Sequence, residues 1–486
     1  PPGTNAQQRH VRQTKKQPNM KDQRDHAQCG PFFLSIPLLP YLCGKEIIMR
    51  RFQVLFVLLA LIHIAPLEAK TSLRDSQHTF ASACLADEAS SNEMIDICET
   101  ALSETGASLG QRQQMRIILG DALYDMDLFE RSEAKFNEVL SANPEHYDAL
   151  RGLGWIAWSK DDFETSAGFF TASVSALPTA EGLAGLASSY RHAELKNVRE
   201  IIQLLELAVA MSPEYIWAIR EKAWALVDAD RDKEAEAVFR QALEKDPENA
   251  WTLYGLGYTL NNLDQWSEAA EVLSKALKAG QDIPSVYSQR SLAYYKLGKN
   301  KLAFKDAETY IAARPDRASG YVRKARALEA MGKREIAIYL LEERLTKGHS
   351  DFAAFWLADL YYNEEDYATA LDTLNQIFVQ GKPDFYDHRL RALLALELED
   401  RALAHADIAK ALELRPDASY PRYYKALLLV QESKFDEAEN WMDAALESGL
   451  PEHQVKHFLS ALASRGEYVR AISWRLKYRT SAAAAE

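Results

Sequence analysis

Five landmarks of one stretch return together 34 residues later. Leu119-Gly120, Phe129, Phe136 and Pro144 become Leu153-Gly154, Phe163, Phe170 and Pro178. A closed globular core has no reason to repeat on that period, whereas a stack of two-helix units does. Prolines keep the same spacing. Beyond residue 69 they are Pro144, Pro178, Pro213, Pro247, Pro284, Pro315, Pro383, Pro416, Pro421 and Pro451, mostly 31–37 residues apart. The gap of 68 between Pro315 and Pro383 is two periods, with Lys347-Gly348-His349 standing where a proline is missing.

Later segments hold the phase. Ala223, Ala235, Phe239, Ala242 and Pro247 form one unit, and Leu256-Gly257, Trp266, Ala269 and Ala276 the next. The series continues through Tyr294, Gly298, Ala303 and Pro315; Gly332 and Ala337; Ala358, Tyr367 and Ala370; Ala392, Ala404, Ala411 and Pro416; Ala426, Phe435, Ala438 and Ala445; and Gly466, Tyr468 and Ala471. The unit around Leu183, Leu186, Tyr190 and Pro213 is the weakest, with about two extra residues expected near Glu194–Asn197. Small residues where two helices cross let backbones approach closely. A proline ends each unit, because it cannot continue a helix and biases the preceding residue to an extended conformation.

This pattern resembles the tetratricopeptide repeat (TPR), whose unit is a helix A, a tight turn and a helix B. The resemblance covers about three quarters of the chain. It implies an all-α fold, a right-handed α-α superhelix (TPR solenoid) of about eleven helix-turn-helix repeats plus an N-terminal helical hairpin. The expected organisation is an upstream extension over 1–48, a secretory signal over 49–69, a hairpin cap over 70–112, the array over 113–478 and a tail over 479–486.

The signal is read from the residues themselves. Arg50 and Arg51 precede a 15-residue apolar run, Phe52 to Pro66, and Leu67-Glu68-Ala69 offers a cleavage site. That run is too short to span a bilayer comfortably. If Met49 is the start, residues 1–48 lie outside the native protein. Cleavage leaves two of the four cysteines, Cys84 and Cys98. An even count in an exported chain predicts a disulfide across a short helical hairpin.

Charge narrows the ligand. Residues 1–69 hold nine Lys and Arg against four Asp and Glu, so the remainder of this chain of net charge −13 carries −18. Nucleic-acid backbone needs a surplus of cations, and so it is not the expected ligand. Catalytic signatures are missing as well: no GxGxxG after a strand, no GxxxxGK[ST], no GxSxG and no HExxH. His453 and His457 sit at i, i+4 without an evident third ligand, so no metal and no cofactor is expected. The acidic groups Asp161-Asp162, Glu364-Glu365-Asp366 and Glu399-Asp400 fall at inter-helix turns and read as solvated.

In TPR proteins the inner groove is lined mainly by helix A, at positions 2, 5, 9 and 12 of the unit. Carried onto this sequence, the resemblance implies a groove set of Trp155, Trp158, Trp217, Arg220, Trp224, Trp251, Tyr254, Tyr258, Asn261, Tyr295, Phe355 and Tyr362. Tyr386, Arg389, Tyr420 and Tyr423 extend it. Rigid aromatic side chains give large contact area at low entropy cost. Packing of these aromatics against a neighbouring unit is the competing reading. The expected function is a non-catalytic scaffold that binds a protein or peptide in its concave groove, in the bacterial periplasm. An accessory subunit of an envelope or polysaccharide-export complex and a carbohydrate-binding solenoid are the alternatives.

Overall fold

The computed structural model describes residues 80–87, 89–104, 106–280 and 283–485, and for 477–485 the backbone alone. The expected upstream extension and signal segment lie outside the described residues. Among the described residues there are 24 helices and no strand. A short hairpin, Phe80–Ala86 with Ser91–Ser103, precedes eleven helix pairs. These run from Leu109–Asp125 with Phe129–Ala142 to His453–Ser464 with Tyr468–Ala485. The all-α superhelix of paired helices is therefore the fold.

The chain divides into two compact units, with the boundary inside the helix Phe129–Ala142. In the smaller unit, Cys84 and Cys98 are fully buried beside Met94, Met115, Leu119 and Leu123. Their Cα atoms are 5.0 Å apart and their sulfurs lie within bonding distance. Ser90 and Ser108 each begin a helix with a reciprocal cap, to Glu93 and Gln111.

The proline stops act as the sequence implies. Leu177, Ser212, Asp246, Arg314 and Arg415 each precede a proline and each end a helix B at φ between −152° and −138°. The missing stop is supplied by Gly348, at φ 147°. In the weak unit the turn from His192 to Val198 is two residues longer than the turn from Ser159 to Phe163.

The helix A to helix B turn places one residue in the left-handed region in nearly every unit. Gly298 and Gly332 do so at φ 70° and 73°, but Asp161, Glu365 and Glu399 stand there at 60°, 63° and 54°. The acidic groups read as solvated turn residues have a second job. Asp162, Asp366 and Asp400 are N-caps, each accepting from a backbone N–H three residues on. Such caps satisfy donors that the first helical turn leaves open.

The 34-residue landmarks lock each pair together. Phe136 and Phe170 are fully buried, and each ring covers the glycine of its own helix A. A Cβ at Gly120 would meet Phe136 at 2.6 Å, and one at Gly154 would meet Phe170 at 3.0 Å. Ser132 and Ser166, also 34 apart, donate to the carbonyls of Gly120 and Gly154 at 2.7 and 2.9 Å. Phe163, which opens a helix B, stacks on His192 of the next helix A at 4.8 Å, so it plugs the seam between units.

In the larger unit each helix A also touches the helix A of the next pair, and no helix B touches the next helix B comparably. The A helices therefore stack on the tighter, inner side of the curve.

Candidate functional site

The inner face of the larger unit is not uniform. Its first part is filled by its own side chains. The helix Ala180–His192 presents small residues inward, Ala184 and Ser188 among them. Over it, Trp155 of the preceding helix A reaches Trp217 of the following one, ring centroids 5.0 Å apart. Trp155 also meets Phe170 at 5.0 Å and Trp158 at 6.1 Å. A second group joins Trp224 to Tyr258 at 5.4 Å, to Tyr254 at 5.8 Å and to Phe239 at 5.5 Å.

This corrects half of the expected groove set. Trp158, Trp217, Arg220, Trp224, Tyr254 and Asn261 are buried and hold neighbouring units together. For Trp217 the physical reason is the small-residue helix. Where one unit offers no bulk, the tryptophans on either side close over it. Asn261 spends its Nδ2 on the carbonyl and side chain of Gln289, at 3.0 and 3.1 Å. Arg220 is 2% exposed, and burial pushes its guanidinium down to about 10 despite the Glu221 charge beside it.

Trp251, Tyr258, Tyr295, Phe355 and Tyr362 stay half-buried on the inner face, with Trp155 at the edge of the closed part. Here the structure adds residues that the aromatic reading passed over. Arg326 lies between two rings, 4.4 Å from Tyr295 and 4.1 Å from Trp356. Asp359 follows on the next helix A, its carboxyl raised by burial and by Glu329, and lowered in part by Arg326 and Arg389. Tyr362 is pushed up to about 12 by burial and by Glu397. Arg326 and Asp359 both occupy position 9 of their helices, so the register itself contained them. A set made mostly of aromatic side chains does not include them. Tyr423, on the next line of helices, is buried and shares a hydrogen bond with His457. Among the described residues no group of three or more His, Cys, Asp or Glu side chains is placed to hold a metal.

One titratable pair sits at the start of the helix Phe385–Glu397. Asp384 caps the backbone N–H of Tyr386 and Asp387, and Asp387 accepts from the Asp384 N–H at 2.8 Å. Burial, with the Asp384 carboxylate nearby, raises the Asp387 carboxyl to about 7. Its ordinary value is about 4, so between these two pH values the native state binds more protons than the unfolded state. Stability then falls as pH rises through that window. Asp387→Asn keeps an acceptor for the cap and removes the titration. Its melting temperature at pH 8 is expected to lie closer to its own value at pH 5 than the wild type's does.

Family models described as tetratricopeptide repeat match residues 119–181, 233–288, 352–379 and 389–450. The chain carries tetratricopeptide repeats. No curated protein sequence matches it. Among solved structures, the Cut9–Hcn1 hetero-tetramer of APC/C is 11% identical, with 81% of this chain and 84% of that one covered, at a TM-score of 0.51. A tetratricopeptide repeat protein from Parabacteroides merdae is 14% identical over 55% of this chain and 98% of its own, at 0.43. Yeast Tom70 is 14% identical over 82% and 96%, at 0.46. At these identities the likeness is one of fold. TPR arrays are typically protein-interaction scaffolds, generally without catalysis.

Proposed function

We propose that this TPR array is a non-catalytic scaffold that holds an extended protein or peptide segment along the open part of its inner face. The observation that carries this is the set of half-buried aromatics, Trp251 and Tyr258 on the helix Ala250–Asn262, Tyr295 on Pro284–Lys296, and Phe355 and Tyr362 on Asp351–Asn363, with Arg326 on the A helix between the last two. Buried neighbours such as Trp224 and Tyr254 back them. Side chains held this way lose little freedom on binding, which favours them as anchors. The acid excess of the chain supports a protein ligand over nucleic acid. Trp251→Ala with Tyr258→Ala should weaken partner binding by roughly tenfold or more while the far-ultraviolet circular dichroism stays the same. Undiminished binding in the folded double variant refutes the assignment.

We further propose export to the bacterial periplasm, with Cys84 and Cys98 joined as a disulfide. The basic and apolar pattern over 49–69 and the approach of the two sulfurs support this reading. Closing a loop of this size stabilises by about 2–4 kcal/mol. The exported chain is expected to begin near Lys70 by N-terminal sequencing, and to resist alkylation until reduced. Two freely alkylated thiols in the native chain would refute the bond.

A further inference from the structure

Two cavities open at the ends of successive A helices in the larger unit. The first, about 280 Å³, is electrostatically satisfied. Its arginine, Arg151, pairs with Asp148 at 3.3 Å and with Glu181. The second, about 650 Å³, is not. It is bordered by Phe385, Tyr386, Arg389, Arg415 and Tyr420, with Asp417 at its margin.

Among the described residues neither Arg389 nor Arg415 has a carboxylate partner. Arg389 lies 5.5 Å from the rings of both Tyr386 and Tyr420, and makes no hydrogen bond or ion pair among the described residues. Asp359 is close enough to feel its charge but does not pair with it. Arg415 sits 4.5 Å from the Phe385 ring and 4.9 Å from the Tyr386 ring. It donates only to the Tyr386 hydroxyl, at 3.2 Å. Asp417 is neutralised by Arg422 at 3.0 Å. Two other arginines at the same kind of crossing are paired: Arg290 grips Asp306 with two nitrogens, and Arg391 grips Asp407 likewise.

Two unpaired guanidinium groups on one cavity, in a chain of net charge −13, form a local site for a doubly charged anion. Guanidinium donors match phosphate oxygens in geometry as well as charge. The aromatic walls favour a flat apolar group attached to that anion. We propose that the cavity between Arg389, Arg415, Tyr386 and Tyr420 binds a phosphate monoester carried on a planar group. This goes beyond the scaffold reading, which names no anionic ligand.

The test is calorimetric titration of the full chain with phenyl phosphate, inorganic phosphate and benzoate. Phenyl phosphate should bind most tightly, inorganic phosphate more weakly and benzoate weakest. Arg389→Gln should weaken phenyl phosphate by about tenfold to a hundredfold, the loss expected of a charge-assisted contact. Arg389 makes only ring contacts among the described residues, so this variant should fold. Arg389→Lys keeps the charge without the planar fork and should lose less. No heat with phenyl phosphate at millimolar concentration overturns the proposal, as does equal affinity in wild type and Arg389→Gln. Benzoate binding as tightly as phenyl phosphate overturns the dianion assignment. Phosphate binding as tightly as phenyl phosphate overturns the planar group.

Discussion

Glu221→Ala should lower the unfolding free energy by about 3–5 kcal/mol, because it strips the counter-charge from a buried site. Glu221 is 1% exposed and accepts from Arg191 at 2.8 Å and from Ser188 at 3.1 Å. Burial alone would lower the Arg191 guanidinium, but Glu221 and Asp228 outweigh it and hold that group above its ordinary value. Asp228 is the weaker partner, 3.4 Å from Arg191. Glu221 also opposes the cost of burying Arg220 next to it. Without the carboxylate, Arg191 keeps only the weaker pairing with Asp228, and Arg220 loses the acid beside it. Glu221→Gln separates charge from shape. It should cost nearly as much as alanine when measured by urea unfolding, and a loss below about 1 kcal/mol would mean the cluster is not held by charge.

Phe239→Ala should cost about 3–5 kcal/mol, the range for emptying a fully buried aromatic site. Phe239 is fully buried, packs edge-on to Trp224 and covers Gly255 of the next unit. The opposite error at the same contact is also destabilising. A Cβ on Gly255 would lie under 3.0 Å from two atoms of that ring, so Gly255→Ala should cost about 1–3 kcal/mol by overpacking. Phe239→Leu should partly relieve Gly255→Ala, giving a clear coupling in a double-mutant cycle. Because most contacts of a unit are with its immediate neighbours, hydrogen exchange should rise first in the pairs Ile216–Asp228 with Asp232–Lys245 and Ala250–Asn262 with Trp266–Lys278. Uniform acceleration along the chain would contradict that local coupling.

Much of the fold was legible because its determinants are local. Gly120 under Phe136 and Gly154 under Phe170 recur at one period, and a stop such as Asp246-Pro247 acts through its own backbone. The site was less legible, because exposure depends on neighbours that are not adjacent in sequence. Trp217 and Trp251 occupy the same register position. Trp217 is buried where Trp155 reaches across the small residues of the helix Ala180–His192. Arg326 and Asp359 hold position 9 of their helices, and only the aromatic rings packed beside Arg326 single that residue out. Arg415 lay outside the register altogether, at the end of a helix B. Its place beside Tyr386 follows from how two units meet.

The central claim is that partners are held on the inner, helix A face. Site-specific photo-crosslinking tests it directly, with a photoreactive residue placed at Tyr258 on the inner face or at Tyr339 on a helix B, where the side chain is 66% exposed. The account predicts a crosslinked partner from Tyr258 and none from Tyr339. Capture from Tyr339, with none from Tyr258, would contradict it.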